Sequence, residues 1–160
     1  MKIFISHSSL DQELIRKIKN TLEPYGITPL IAEHNIDLEN SITEKIENMI
    51  KQCDVALILL TENGFNSQFV QQEIGYIKSL NKSYLQLVQL GYENKIKGFN
   101  YGKDYVPFDT TNQEYALEKI KKTLLYVKFH HVVNEFIPLL LLMELSGMSK
   151  SRGINSLTTW

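Results

Sequence analysis

The sequence predicts an α/β fold in which five strands form a doubly wound parallel sheet, and three observations predict it. Short apolar runs alternate with longer stretches of helical periodicity along most of the 160 residues. One of those runs, Val55 to Leu60, is apolar throughout, as a strand covered on both faces of a parallel sheet should be. Capping and turn residues separate the runs in the order that right-handed βαβ crossovers require.

Lys2 to Ser6 reads as the first strand, and Ser9 with Gln12 three residues later signals a capping box for the helix that follows. Leu10, Leu14, Ile15, Ile18 and Leu22 fall on one face of that helix, and Pro24-Tyr25-Gly26 ends it. Ile27 to Ala32 is the second strand, followed by a polar loop, Glu33 to Asn40. Ser41 and Glu44 signal another capping box, opening a helix whose buried side is Ile42, Ile46, Met49 and Ile50. After the third strand, Val55 to Leu60, Asn66 or Ser67 caps a helix from Gln68 to Leu80. Tyr84 to Leu90 and Tyr105 to Phe108 supply the fourth and fifth strands. Thr111 and Glu114 signal a third capping box, before a helix through Tyr115, Leu117, Ile120, Leu124 and Val127. The pattern is flavodoxin-like, with domain 1–130 followed by a helical extension and tail, 131–160. In that extension Val132, Val133, Phe136, Ile137, Leu140 and Leu141 give a helix with a broad apolar face.

Composition narrows the function. Seventeen basic residues against eighteen acidic ones leave a net charge of −1, so there is no general electrostatic grip on nucleic acid or anionic lipid. A single cysteine excludes a disulfide framework within the chain. The first residues lack a signal-peptide core, and the longest apolar run, Phe136 to Met143, is interrupted by Pro138 and falls short of the roughly 20 residues of a spanning helix. Cytoplasmic residence and no membrane span are the expectations. There is no GxGxxG after the first strand and no GxxxxGK[ST], which excludes those phosphate-binding devices, and no CxxC or HExxH metal spacing. The acidic cluster of a two-component receiver is replaced by Ser-His-Ser-Ser after the first strand.

A doubly wound sheet binds ligands beyond the carboxyl ends of its strands, at a switch in strand order. That rule selects Ser6-His7-Ser8, the Glu33 to Asn40 loop, Thr61 to Asn66 and the helix that follows. In that helix Phe69 and Glu73 stand at i and i+4 beside an apolar face of Val70, Ile74 and Ile77. Spacing alone fits either a carboxylate of perturbed ionisation or an exposed glutamate on an amphipathic helix. His7 fits a ligand contact or a hydrogen-bonded strand end equally well.

At these residues the sequence resembles the Toll/interleukin-1 receptor (TIR) domain family in its prokaryotic form. Phe4-Ile5-Ser6-His7-Ser8-Ser9 with Asp11 looks like the opening box, and Ile36 to Ser41 running into Ile42 and Ile46 looks like the BB loop and its helix. Cys53-Asp54 with Val55 to Thr61 resembles the third strand, and Asn66 to Ile74 resembles the serine, aromatic and glutamate pattern of the catalytic helix. The resemblance covers residues 1 to 130. It implies an enzyme that cleaves NAD+ between nicotinamide and ribose, with Glu73 catalytic and His7, Ser8, Phe69, Asp37 and Ser41 binding substrate. No cofactor and no metal are implied, since NAD+ is the substrate. A prokaryotic antiphage role of the Thoeris type follows, with self-association through the BB loop, Glu33 to Ser41, and a separate effector protein that answers an ADP-ribose-derived product. Two other readings stand beside it: a non-catalytic TIR interaction module, and a nucleoside deoxyribosyltransferase-like enzyme. The chain departs from the family where Phe69 replaces the usual tryptophan, where Glu39 or Asn40 replaces a BB-loop glycine, and where Ala32 replaces an aspartate at the end of the second strand.

Overall fold

The computed structural model describes residues 1–32, 39–96 and 105–145, which divide into two compact units, one within Met1–Thr123 and one that begins at Leu124. In the first unit the order is β1 (Lys2–Ser6), α1 (Gln12–Leu22), β2 (Thr28–Ile31), α2 (Glu39–Gln52), β3 (Val55–Leu60), α3 (Glu62–Asn66), α4 (Gln68–Ser79), β4 (Tyr84–Gln89), β5 (Tyr105–Phe108) and the start of α5 (Glu114–Leu145). All strand pairs are parallel, in the order β2-β1-β3-β4-β5. The order reverses between β1 and β3, so the crossovers on either side of that point lie on opposite faces of the sheet. α1 therefore covers one face and α2 and α4 the other.

The strands fall where the sequence places them, because their composition leaves no alternative. Every residue of β3 is buried, and this strand sits mid-sheet. Phe4, Ala56, Ile58, Leu60 and Val88 form a core with Ile50 of α2 and Val70, Ile74 and Ile77 of α4. The alternate residues Ile3, Ile5, Leu57, Leu59 and Leu87 are buried as well, which a sheet covered on both faces demands. The outer strands β2 and β5 carry Pro29 and Pro107, which withhold a donor where further strand addition would occur.

The capping boxes do not form as the sequence suggests. α1 begins at Gln12 with Asp11 at its N-cap, and Ser9 is exposed outside it. Leu10 consequently leaves the apolar face and stands 76% exposed, while Leu14, Ile15, Ile18 and Leu22 are buried as expected. α2 begins at Glu39, which puts Ser41 inside the helix rather than at its cap. The Thr111 hydroxyl donates to Asp109 Oδ1 (2.7 Å) in a turn of its own before α5. Of the predicted caps, the Ser67 cap forms, its hydroxyl accepting from Val70 N at 3.4 Å.

Thr61 to Asn66, read as strand-end loop, contains the short helix α3, capped by Thr61. Gly64 makes that helix possible: a Cβ there would lie 2.1 Å from the Leu59 carbonyl oxygen, so only glycine lets α3 fold back onto β3.

In the second unit helical backbone continues to Leu145, with Tyr126, Phe129 and Val132 exposed and the His130 ring 4.2 Å from that of Tyr126. Among the described residues no helix is long and apolar enough to cross a membrane.

Candidate active site

Ser6 is the last residue of β1, and its register with Ile58 turns its side chain to the α4 face of the sheet. There the Ser6 hydroxyl donates to Glu73 Oε2 at 2.5 Å. Glu73 arrives because the apolar positions Val70, Ile74 and Ile77 seat α4 on the sheet, and its own position, one before Ile74, turns inward with them. The side chain is 4% exposed. Burial pushes its carboxyl up to about 7, against the opposing pull of the Ser6 hydrogen bond. The exposed-glutamate alternative thus fails on geometry. Phe69, one turn earlier on α4, is 47% exposed.

His7 is buried immediately after β1, its Nδ1 2.9 Å from the Ile5 carbonyl oxygen. Burial lowers its pKa, opposed by that backbone bond and by the charge of Asp11. The ring is therefore neutral at pH 7, with its proton on Nδ1 and the lone pair on Nε2. Ser8 is also buried, its hydroxyl accepting from Leu10 N at 3.3 Å. Ser41 lies in the first turn of α2 and its side chain is outside the described part of the chain. Asp37 and the rest of 33–38 lie outside the described residues.

Three groups received no individual role in the sequence reading of the site. Ser6 was legible only as a strand end, because which way its side chain turns depends on register. Asp11, inside the opening box, is buried and accepts from Thr61 Oγ1 (2.8 Å) and Asn63 Nδ2 (2.9 Å), so it ties the loop after β1 to the loop after β3. No spacing rule joins residues fifty positions apart. Gln86 of β4 lies in the same row as Ser6 and Ile58, fully buried, with neither amide atom hydrogen-bonded.

The arrangement offers one carboxyl group that is half ionised near neutrality, a hydroxyl aimed at it, an exposed aromatic ring one helical turn away and a neutral imidazole beside the same strand end. Among the described residues no cluster of His, Cys, Asp or Glu has the composition of a metal site.

A family model described as a TIR domain matches residues 3–125. Among solved structures the chain is similar to a CMP N-glycosidase of Clostridium botulinum, with a TM-score of 0.54 and 16% identity over 75% of this chain and 98% of that one. It is also similar to a prokaryotic SEFIR domain, with a TM-score of 0.50 and 16% identity over 76% of this chain and 96% of that one. At such identities the likeness concerns the fold. No curated protein matches the chain.

Proposed function

Because the chain belongs to the TIR-domain family, we propose that it is an enzyme that breaks the N-glycosidic bond between nicotinamide and ribose in NAD+. The observation that carries this reading is Glu73, buried at the carboxyl end of the sheet, held by Ser6 and poised with a pKa of about 7. As the C1′–N bond breaks, its electron pair moves onto the cationic pyridinium ring, so nicotinamide leaves neutral and no acid is needed at the leaving group. Positive charge then develops at C1′. An ionised Glu73 stabilises that charge or holds the ribose hydroxyls, and low-dielectric surroundings make such a fixed anion far more effective than in water. Water attack at C1′ releases a proton and gives ADP-ribose; attack by a nucleophile of the substrate itself gives a cyclic product. Phe69, His7 and Ser8, with Asp37 and Ser41 of the BB loop, border the nicotinamide and ribose in this reading. Depletion of NAD+, or a product read by a separate effector, is the role it supports in antiphage defence, with self-association through the BB loop.

Nicotinamide release from NAD+ by concentrated protein, read chromatographically beside Glu73→Ala, tests the proposal. Release that disappears in the variant is expected; equal release by both proteins removes Glu73 from the mechanism.

One observation favours a second reading, cleavage of a nucleotide whose base is uncharged in the substrate and has to be protonated as it leaves. With a pKa of about 7, a substantial share of Glu73 is protonated at neutrality and can protonate a departing base. The similarly folded CMP N-glycosidase belongs to that chemistry by its name. The pH profile separates the two: NAD+ cleavage by the carboxylate rises through pH 7, whereas cleavage of CMP by the acid form falls.

A further inference from the structure

A cavity opens on the α1 side of the same strand ends, with a volume of about 300 Å³. This is the low end of the range for small-molecule pockets, enough for one nucleoside-sized group. Its walls come from the loop after β1, the loop after β3, and the ends of β4 and β5, so it spans the switch in strand order. Gln89 and Phe108 are partners in register and share this face.

Its charges are already answered. Asp11 accepts from Thr61 and Asn63, Glu13 pairs with Lys17 at 3.1 Å, and Glu62 meets the Tyr92 hydroxyl. No basic side chain lines the cavity among the described residues. It therefore has neither a cation for a phosphate nor a spare anion for a cationic ligand. What remains is a pair of amides. Gln89 Oε1 accepts from Glu62 N (2.8 Å), and Asn63 Nδ2 donates to Asp11. That fixes both amide orientations and leaves the Gln89 Nε2 donor and the Asn63 Oδ1 acceptor for a ligand, beside the apolar Leu10 and Phe108. A donor and an acceptor lining one cavity with apolar side chains match the edge and face of an uncharged nucleobase.

We propose that this cavity seats a nucleobase, and, resting on the NAD+ reading above, that it receives the adenosine end of the dinucleotide cut at Glu73. Leu10 explains itself here: its side chain stands exposed at the cavity mouth as a platform for the base. The cavity and Glu73 lie on opposite faces of the sheet at the same carboxyl ends of the strands, so an extended dinucleotide passes over the strand ends at the switch point from one to the other.

Adenosine titrated into the full chain, followed by calorimetry and by amide NMR shifts of residues 61–63 and 89, tests the site without turnover. Binding weakened at least fivefold in both Gln89→Leu and Leu10→Ser is expected. Leu10 is exposed enough that its replacement leaves the fold intact, which covers the case in which Gln89→Leu fails to fold. With turnover, the ratio of kcat/KM for NAD+ to that for nicotinamide mononucleotide, which lacks the adenosine, falls at least fivefold in the same variants. No adenosine binding, or binding that both variants leave unchanged, overturns the proposal. Failure of the NAD+ reading looks different: the wild-type chain releases nicotinamide from neither substrate, while the adenosine titration still reports on the cavity.

Discussion

Asp11 and Glu73 are both carboxylates shut away from water beside the end of β1, yet the protein treats them differently. Asp11 receives two side-chain donors, Thr61 and Asn63, from the loop and helix that follow β3, and it serves as a latch between two loops. Glu73 is gripped by Ser6, and burial still holds its carboxyl at about 7. Depth of burial is therefore a poor guide to chemical role. What separates the two regions is how many donors the surroundings bring to each carboxyl, two side chains to Asp11 and the Ser6 hydroxyl to Glu73.

The largest expected effect sharpens that contrast. Glu73→Gln should lower nicotinamide release by about a hundredfold or more, the scale of losing a principal electrostatic group in a buried site. The same change should stabilise the fold in alkaline solution. Below about pH 4.5 the carboxyl is protonated in folded and unfolded chains alike, and its ionisation has no bearing on stability. As pH rises towards 7, the unfolded chain ionises while the folded one resists, so stability falls by about 3 kcal/mol in the limit and stays lost at higher pH. Urea denaturation at pH 5 and pH 8 should therefore show wild type losing ground between the two conditions and the glutamine variant losing less. Equal losses would mean that Glu73 is not the costly group.

Asp11→Ala should do the reverse, a destabilisation of about 3 kcal/mol. The change removes two hydrogen bonds to a charged acceptor and strands the Thr61 hydroxyl and the Asn63 amide near the protein interior. Thr61 also caps α3 by accepting from Gly64 N at 2.9 Å, so the damage reaches the helix that leads into α4. A urea midpoint within error of wild type would make Asp11 an ordinary surface acid and dissolve the comparison.

How far this was legible in the sequence follows from the range over which each interaction acts. The strands were legible because β3 and its neighbours are apolar in ways that only a doubly covered sheet accepts. Val70, Ile74 and Ile77 were legible by periodicity, and they carry Glu73 inward with them. Ser9, Ser41 and Thr111 were misread as helix caps because a capping box is a two-residue pattern. Whether it forms depends on where the preceding loop closes, and at Ser9 that loop is set by Asp11 reaching Thr61, fifty residues away. Leu10 was misread for the same reason, since it belongs to the loop rather than to α1. Ser6 could be named but not aimed, since register decides which face its hydroxyl reaches.

Ser6→Ala is the more moderate test, because it alters Glu73 without removing it. The Ser6 hydrogen bond lowers the Glu73 pKa, so its loss should carry the midpoint of the pH–rate profile above 7, by about one pH unit for a hydrogen bond to a charged group. For a reaction that uses the carboxylate, the variant should be several-fold slower at pH 7 and recover by pH 9. A lowered rate with an unmoved midpoint would instead make Ser6 a contact to substrate.

The smallest expected effect lies on α4 itself, where Gly75 stands two residues from Glu73 on the exposed side of the helix. A Cβ there meets nothing within 4 Å, so neither packing nor backbone geometry within the described chain asks for glycine. Gly75→Ala should then add about 0.5–1 kcal/mol through helix propensity alone. If nicotinamide release is unchanged, the cost of the site is confined to the buried carboxyl and α4 is a passive support. If stability rises while release falls, the helix that holds Glu73 has to yield during turnover, and the contrast with the fixed Asp11 latch extends from charge to motion. Thermal melts paired with release rates on the same preparation separate these outcomes.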